Sequence, residues 1–190
     1  DLIIASDGVN SKIRNHYVDI FKPDMLKRPN RFIWLGTDKL FDAFTFDFRK
    51  TDHGWFQAHI YKFDDQTSTF IIETTEDTYQ ASGFDQMDQD QAIHFCEDLF
   101  AEVLEGASLK SNSRHLRGSA WLNFNRLICE NWSHFNGQSH VVLMGDAAHT
   151  AHFAIGSGTK LAIDDAIELT RQFEIHGHDK SHIPAVLETY

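Results

Sequence analysis

Asp146 follows an apolar run, Val141 to Met144, and a single glycine; further on, Gly156-Ser157-Gly158-Thr159 leads into a helical pattern. A carboxylate at the end of a strand can accept hydrogen bonds from ligand hydroxyls. The first amides of a helix lack partners within it and sit at the positive end of its dipole, so they attract electron-rich groups. Together the two features predict a polyhydroxylated, electron-rich ligand. The ordinary alternative is a plain turn at Gly145-Asp146 and a flexible helix entry at Gly156-Ser157-Gly158, and a Gly-x-Gly taken alone does not decide between them.

The elements that must position these residues are a buried strand over 141–144, a halt at Gly145-Asp146, a loop, and a glycine-led helix. That helix carries apolar residues at Leu161, Ala162, Ala166 and Leu169. A similar unit opens the chain. Leu2 to Ala5 reads as a buried strand, Asp7-Gly8 as a turn, and Ser11 as the N-cap of a short helix through Ile13 and Arg14.

The string Gly145-Asp146-Ala147-Ala148-His149, followed by His152, Gly156-x-Gly158 and Ala162-x-Asp164-Asp165-Ala166, resembles the second flavin-binding motif of the class A flavoprotein monooxygenases. These are aromatic hydroxylases of the para-hydroxybenzoate hydroxylase type. The opening segment, with Asp7-Gly8, Ser11 and Arg14, resembles the same family's Asp-Gly motif, in the right order and about as far away as the family places it. The resemblance implies an α/β (α+β) fold: an antiparallel substrate-domain sheet with a helix, plus a partial flavin-binding domain. Residues 1–28 and 126–190 would belong to the flavin domain and 29–125 to the substrate domain.

It also implies a chemistry, the FAD-dependent hydroxylation of an electron-rich aromatic ring with O2 and NAD(P)H. In such enzymes the cofactor carries the hard step while the fold orients the ring and keeps water out. Gly145, Asp146 and Ala147 would belong to the cofactor site, with Asp146 bonding the ribityl chain. Gly156, Ser157, Gly158 and Thr159 would present N–H groups to the pyrimidine edge of the flavin. Asp7 and Gly8 would lie near the pyrophosphate and ribose and the nicotinamide approach; Arg14 would be supportive at most. One departure is Phe153, after His152, where the family commonly has proline. His-Phe-x-Ile-Gly-Ser-Gly-Thr looks closest to the branch acting on aromatic CoA thioesters, with indole-type hydroxylases as neighbours.

His152, beside the flavin, would be the catalytic candidate, hydrogen-bonding the substrate or accepting a proton from a ring hydroxyl or amine. Read instead as metal ligands, His149 and His152 beside Asp146 lack the third and fourth donors of a zinc site, so no metal is expected. His176, His178 and His182 read as a solvated helix end.

Nothing ahead of Asp7-Gly8 matches Gly-x-Gly-x-x-Gly, and a helix starting at Pro184 runs to the last residue. The chain reads as a piece of a larger enzyme, expected to be inactive alone and to bind FAD weakly or not at all. Two competing classes are a non-catalytic module that binds an aromatic ligand and a flavin-dependent reductase or halogenase of similar fold.

Between the two motifs the pattern becomes β-rich. Runs at 32–36, 43–48, 55–63 and 68–74, with polar turns at 51–54 and 64–67, predict an antiparallel meander. Phe44, Phe46 and Phe48 alternate onto one face. For most of the rings, filling a core is the simpler reading; the family resemblance implies that some touch substrate. Asp88 to Leu104 predicts one helix capped near Asp88. The runs 116–124 and 126–129 read as strands, and Trp121, Phe124 and Trp132 as structural.

A net charge of -11 argues against nucleic acid or an anionic membrane as a general partner. The partner that the family resemblance implies is a small aromatic molecule, a CoA thioester among the candidates. Lys27, Arg28 and Arg31 form a small basic cluster, read as a solvated loop or, functionally, as a contact for a phosphate-bearing ligand. Cys96 and Cys129 have apolar neighbours and are expected as buried free thiols of a reducing compartment. With no signal peptide and no apolar run near the ~20 residues of a membrane span, a cytoplasmic location follows. No pattern specifies an oligomeric state.

Overall fold

The computed structural model describes residues 1–111 and 119–190. Among these, the elements in chain order begin with β1 (Leu2–Ala5), α1 (Lys12–His16), α2 (Val18–Phe21), β2 (Pro23–Thr37), β3 (Thr45–Thr51), β4 (Gly54–Lys62) and β5 (Ser68–Thr74). There follow α3 (Glu76–Ala81), α4 (Gln89–Leu99), α5 (Ala101–Leu104), β6 (Leu109–Ser111) and β7 (Leu122–Cys129). The last are β8 (Ser133–Phe135), β9 (His140–Leu143), α6 (Gly158–His176) and α7 (Ile183–Thr189). This mixture of helices and sheets is of the α/β class. The chain forms two compact units, one from Asp1–Lys27 with Asn125–Tyr190 and the other from Arg28–Phe124.

In the first unit, β9 lies at the centre of a three-stranded sheet of order β1-β9-β8. Its Val-Val-Leu run is apolar throughout because both faces are covered. Val141 and Leu143 join Ala5, Phe21 and Leu127 on one side, while Val142 packs with Leu169, Ile183 and Val186 on the other. The expectation of a buried β1 does not hold: Ile3 and Ile4 are 42% and 48% exposed. β1 is an edge strand, with β9 on one side and no further strand on the other among the described residues.

The second unit is built on an antiparallel sheet of order β3-β4-β5-β2-β6, with β7 also pairing β2. β3, β4 and β5 form the expected meander; the β3–β4 hairpin closes through Asp52-His53, since Thr51 pairs with Gly54. β2 is longer than the run 32–36 and lies beside β5, not β3. One face of the sheet carries the core, including Ile33, Phe56, Ile60, Phe70 and Ile72 against Phe84, Cys96 and Phe100.

The rings divide between core and surface. Phe56, Phe70, Phe84 and Phe100 are buried, but Phe44, Phe46, Phe48 and Trp34 are about half-exposed on the opposite face. Alternation fixes which side chains share a face, and not which face is covered.

The helix expected over 88–104 is two helices. Phe100, with φ -105 and ψ 17, interrupts it, and its buried ring meets Phe70 edge-on at 5.5 Å. Leu104 still reaches the core from α5. At the start of α4, the Asp88 carboxylate accepts from the Gln91 amide at 2.9 Å and the Gln91 side chain accepts from the Asp88 amide at 3.0 Å, a reciprocal cap. Asp88→Ala is therefore expected to cost about 1 kcal/mol, and Asp88→Asn clearly less, as read from the urea midpoint.

Other expectations shift. Residues 116–118 of the run 116–124 lie outside the described residues, and from Leu122 the chain is one strand through Cys129. Lys27, Arg28 and Arg31 lie on β2, not in a loop. Arg31 is engaged by Glu76 through bonds of 2.5 and 3.0 Å and lies over the Tyr79 ring. Cys96 and Cys129 are buried and free, and burial pushes both thiols up.

Candidate functional site

β1 and β9 run parallel in register, with Ala5 opposite Leu143, and the Met144 amide donates to the Ala5 carbonyl at 3.0 Å. The two turns that follow, Asp7-Gly8 and Gly145-Asp146, therefore leave the sheet from the same carboxyl edge. Ligands of α/β sheets collect at this edge because loop amides and helix starts converge there.

After β9 the chain makes a 3-10 turn over Gly145–Ala147. Gly145 has φ +59, and a Cβ placed there would come within 3.1 Å of the Ala162 Cβ on α6. Glycine thus lets the turn press against the first part of that helix. Asp146 projects from the turn, exposed, and accepts no hydrogen bond among the described residues. Ala147 beside it is buried.

Gly156 takes the left-handed conformation, φ +68, that ends the preceding 3-10 turn Phe153–Ile155. Ser157 then occupies the N-cap of α6 without a side-chain capping bond. The amides of Gly158 and Thr159 open a nineteen-residue helix whose end no side chain of the described residues caps, as a site for an electron-rich group requires. His152 lies between the two motifs, its Nδ1 accepting from the Ala154 amide at 3.3 Å and its ring 4.3 Å from that of Phe153.

At the other turn, the Asp7 carboxylate accepts from the Lys12 amide at 2.8 Å. Burial opposes its ionisation, but hydrogen bonds from Ser11 and from backbone amides outweigh this and hold the carboxyl below its usual range. Gly8 has φ +82 with open space where a Cβ would be. Ser11 caps α1 through the Arg14 amide at 3.0 Å.

Two residues matter more than their sequence context indicates. Arg14 is fully buried; its guanidinium donates to the Ala147 carbonyl at 3.0 Å and to the Val9 carbonyl at 2.6 Å, tying one motif turn to the other. Asp165 accepts, through Oδ2, from the Gly145 amide at 2.8 Å and pairs with His149 Nε2 at 3.0 Å. The Trp132 ring stacks on His149 at 4.9 Å. His149 is thus part of the scaffold under the turn. The only sequence sign of either tether was its place within a motif string.

This donor set suits a flavin: a carboxylate free to accept from hydroxyls, a helix start free to donate, and glycines that leave room for a flat group. A family model described as FAD binding domain matches residues 1–190. The chain belongs to that family. Over its whole length this FAD binding domain is 37% identical to salicyloyl-CoA 5-hydroxylase of a Streptomyces species, spanning 36% of that protein. It is 34% identical to protodeoxyviolaceinate monooxygenase of Chromobacterium violaceum, over 86% of the chain and 41% of the relative. The chain thus spans well under half the length of these relatives. Among solved structures, 2-methyl-3-hydroxypyridine-5-carboxylic acid oxygenase superposes on 98% of the chain and 48% of its own, with TM-score 0.72 at 18% identity. At that identity the likeness is one of fold.

Proposed function

We propose that this FAD binding domain is part of a monooxygenase that hydroxylates an aromatic ring with O2 and NAD(P)H, the ring being carried as a CoA thioester. The observation that carries this reading is the 37% identity to salicyloyl-CoA 5-hydroxylase across the entire chain. When bound, FAD supplies the electron transfer and oxygen activation.

The chain's own residues would hold and orient. Asp146 would accept from the ribityl hydroxyls, and the Gly158 and Thr159 amides would donate to the pyrimidine edge, with Gly145, Ala147, Gly156 and Ser157 shaping the two turns. Asp7 and Gly8 would border the pyrophosphate and ribose. His152 would hydrogen-bond a ring substituent or take its proton. In this reading the residues up to 28 and from 126 form the flavin part and 29–125 the substrate part. A cytoplasmic location belongs to the same reading, supported by two buried, unpaired thiols. No helix of the described residues is long and apolar enough to cross a membrane.

The test is NAD(P)H oxidation by the flavin-loaded full-length protein with salicyloyl-CoA or benzoyl-CoA and O2, followed by mass analysis of the thioester. A product heavier by one oxygen atom is expected; NAD(P)H consumption without such a product would overturn the proposal. Asp146→Ala should weaken FAD binding by about 10- to 100-fold, the effect of removing a charged acceptor, read by flavin fluorescence titration of the apoprotein.

A further inference from the structure

The face of the antiparallel sheet opposite the core carries two buried ionisable side chains, His59 and Glu73. Directly opposed residues on neighbouring strands share a face, so the register sets out two rows. One row runs Phe48, Gln57, Glu73, Phe32 and the next runs Phe46, His59, Ile71, Trp34. Aromatic residues therefore border both sides, and of the four middle positions three are polar, Gln57, Glu73 and His59, with Ile71 the fourth.

Those polar groups are joined. Asn30 donates to Glu73 Oε1 at 2.9 Å, Glu73 Oε2 lies 3.5 Å from His59 Nε2, and the Gln57 amide meets the same His59 nitrogen at 2.5 Å. His59 and Glu73 are buried. The Phe46 ring stands edge-on to His59 at 4.9 Å. Gln57 is the partly exposed end of this chain of contacts and makes no other hydrogen bond among the described residues. One end of its carboxamide is held by His59; the other remains available at the surface, between half-exposed rings.

Burying ionisable side chains is costly, and fixing one amide in a single orientation is a use that recovers something for that cost. We propose that Gln57 is the specificity-determining contact for an aromatic substrate bearing a ring hydroxyl, with His59 and Glu73 as positioning residues that set its amide. This rests on the reading of the chain as part of an aromatic hydroxylase. The flat ring lies against the Phe46, Phe48 and Trp34 side chains, and its hydroxyl pairs with the free end of the Gln57 amide. A ring without the hydroxyl leaves that amide covered and unpaired, and such sites reject the analogue that lacks the polar group.

The experiment is calorimetric titration of the flavin-loaded full-length protein with salicyloyl-CoA and benzoyl-CoA, which differ by that hydroxyl. The wild-type protein should prefer salicyloyl-CoA by about tenfold or more, the size of one well-made buried hydrogen bond. Gln57→Leu should reduce the preference to within about twofold while leaving benzoyl-CoA affinity in place, since only the hydrogen bond is lost. Glu73→Gln should lower the preference part-way with benzoyl-CoA affinity again unchanged, which a purely structural role would not produce. An undiminished preference in Gln57→Leu overturns the proposal and leaves the hydroxylase reading standing. Loss of affinity for both thioesters in Gln57→Leu and in Gln57→Met alike also overturns it, assigning the cluster to folding. Failure of the wild-type protein to bind either thioester would instead overturn the thioester reading, and this proposal with it.

Discussion

Arg14→Ala is expected to lower stability by about 3 to 5 kcal/mol, because the buried Ala147 carbonyl and the partly buried Val9 carbonyl lose charge-assisted donors and the long, buried side chain leaves a void. The guanidinium bonds to Val9 and Ala147 simultaneously, at 2.6 and 3.0 Å. A planar fork can serve two acceptors in fixed directions, whereas an ammonium is a single point. Arg14→Lys should therefore recover only part of the loss. Urea denaturation of the full-length protein measures both, and a change below about 1 kcal/mol for the alanine variant would show that these bonds contribute little beyond their replacement by water. Because Ala147 belongs to the Gly145–Ala147 turn, the same variant should also weaken FAD retention on gel filtration.

Asp165→Ala comes second, at about 2 to 4 kcal/mol. Its Oδ2 accepts from the buried Gly145 amide and pairs with His149; without it the amide loses that partner and the His149 ring keeps its stacking on Trp132. The Gly145 amide is constrained, since the turn is already pressed against Ala162. Asp165→Asn retains an acceptor oxygen and should cost roughly half as much. Hydrogen exchange distinguishes this from a general loss of stability: the Gly145 amide should lose protection in Asp165→Ala before the amides of β9 do. Unchanged protection at Gly145 would remove the proposed tether.

Much of the fold was legible because its signals are local. Ser11 and Asp88 were readable as caps from the residues just after them, and both accept the expected amide. The Val-Val-Leu run of β9 was readable as a buried strand since a strand covered on both faces has no polar alternation to hide it. β1 shows the limit of the same argument: its apolar run lies at a sheet edge with Ile3 and Ile4 exposed. The break at Phe100 left no trace, because the residues on either side keep helical spacing while the ring seats against Phe70.

By itself, the sequence determined the local units: strand, turn and glycine-led helix, the α/β class, and the alternation of Phe44, Phe46 and Phe48. Each depends on residues within a few positions of one another. The tertiary structure alone decided that β1 and β9 pair in parallel, bringing both motif turns to one sheet edge. It also decided that Arg14 reaches Ala147 across 133 residues, and that Phe46, Phe48 and Trp34 stay about half-exposed on the face that holds the buried His59 and Glu73. Pairing partners and covered faces follow from which surfaces meet when the chain folds, and local periodicity carries no record of that choice.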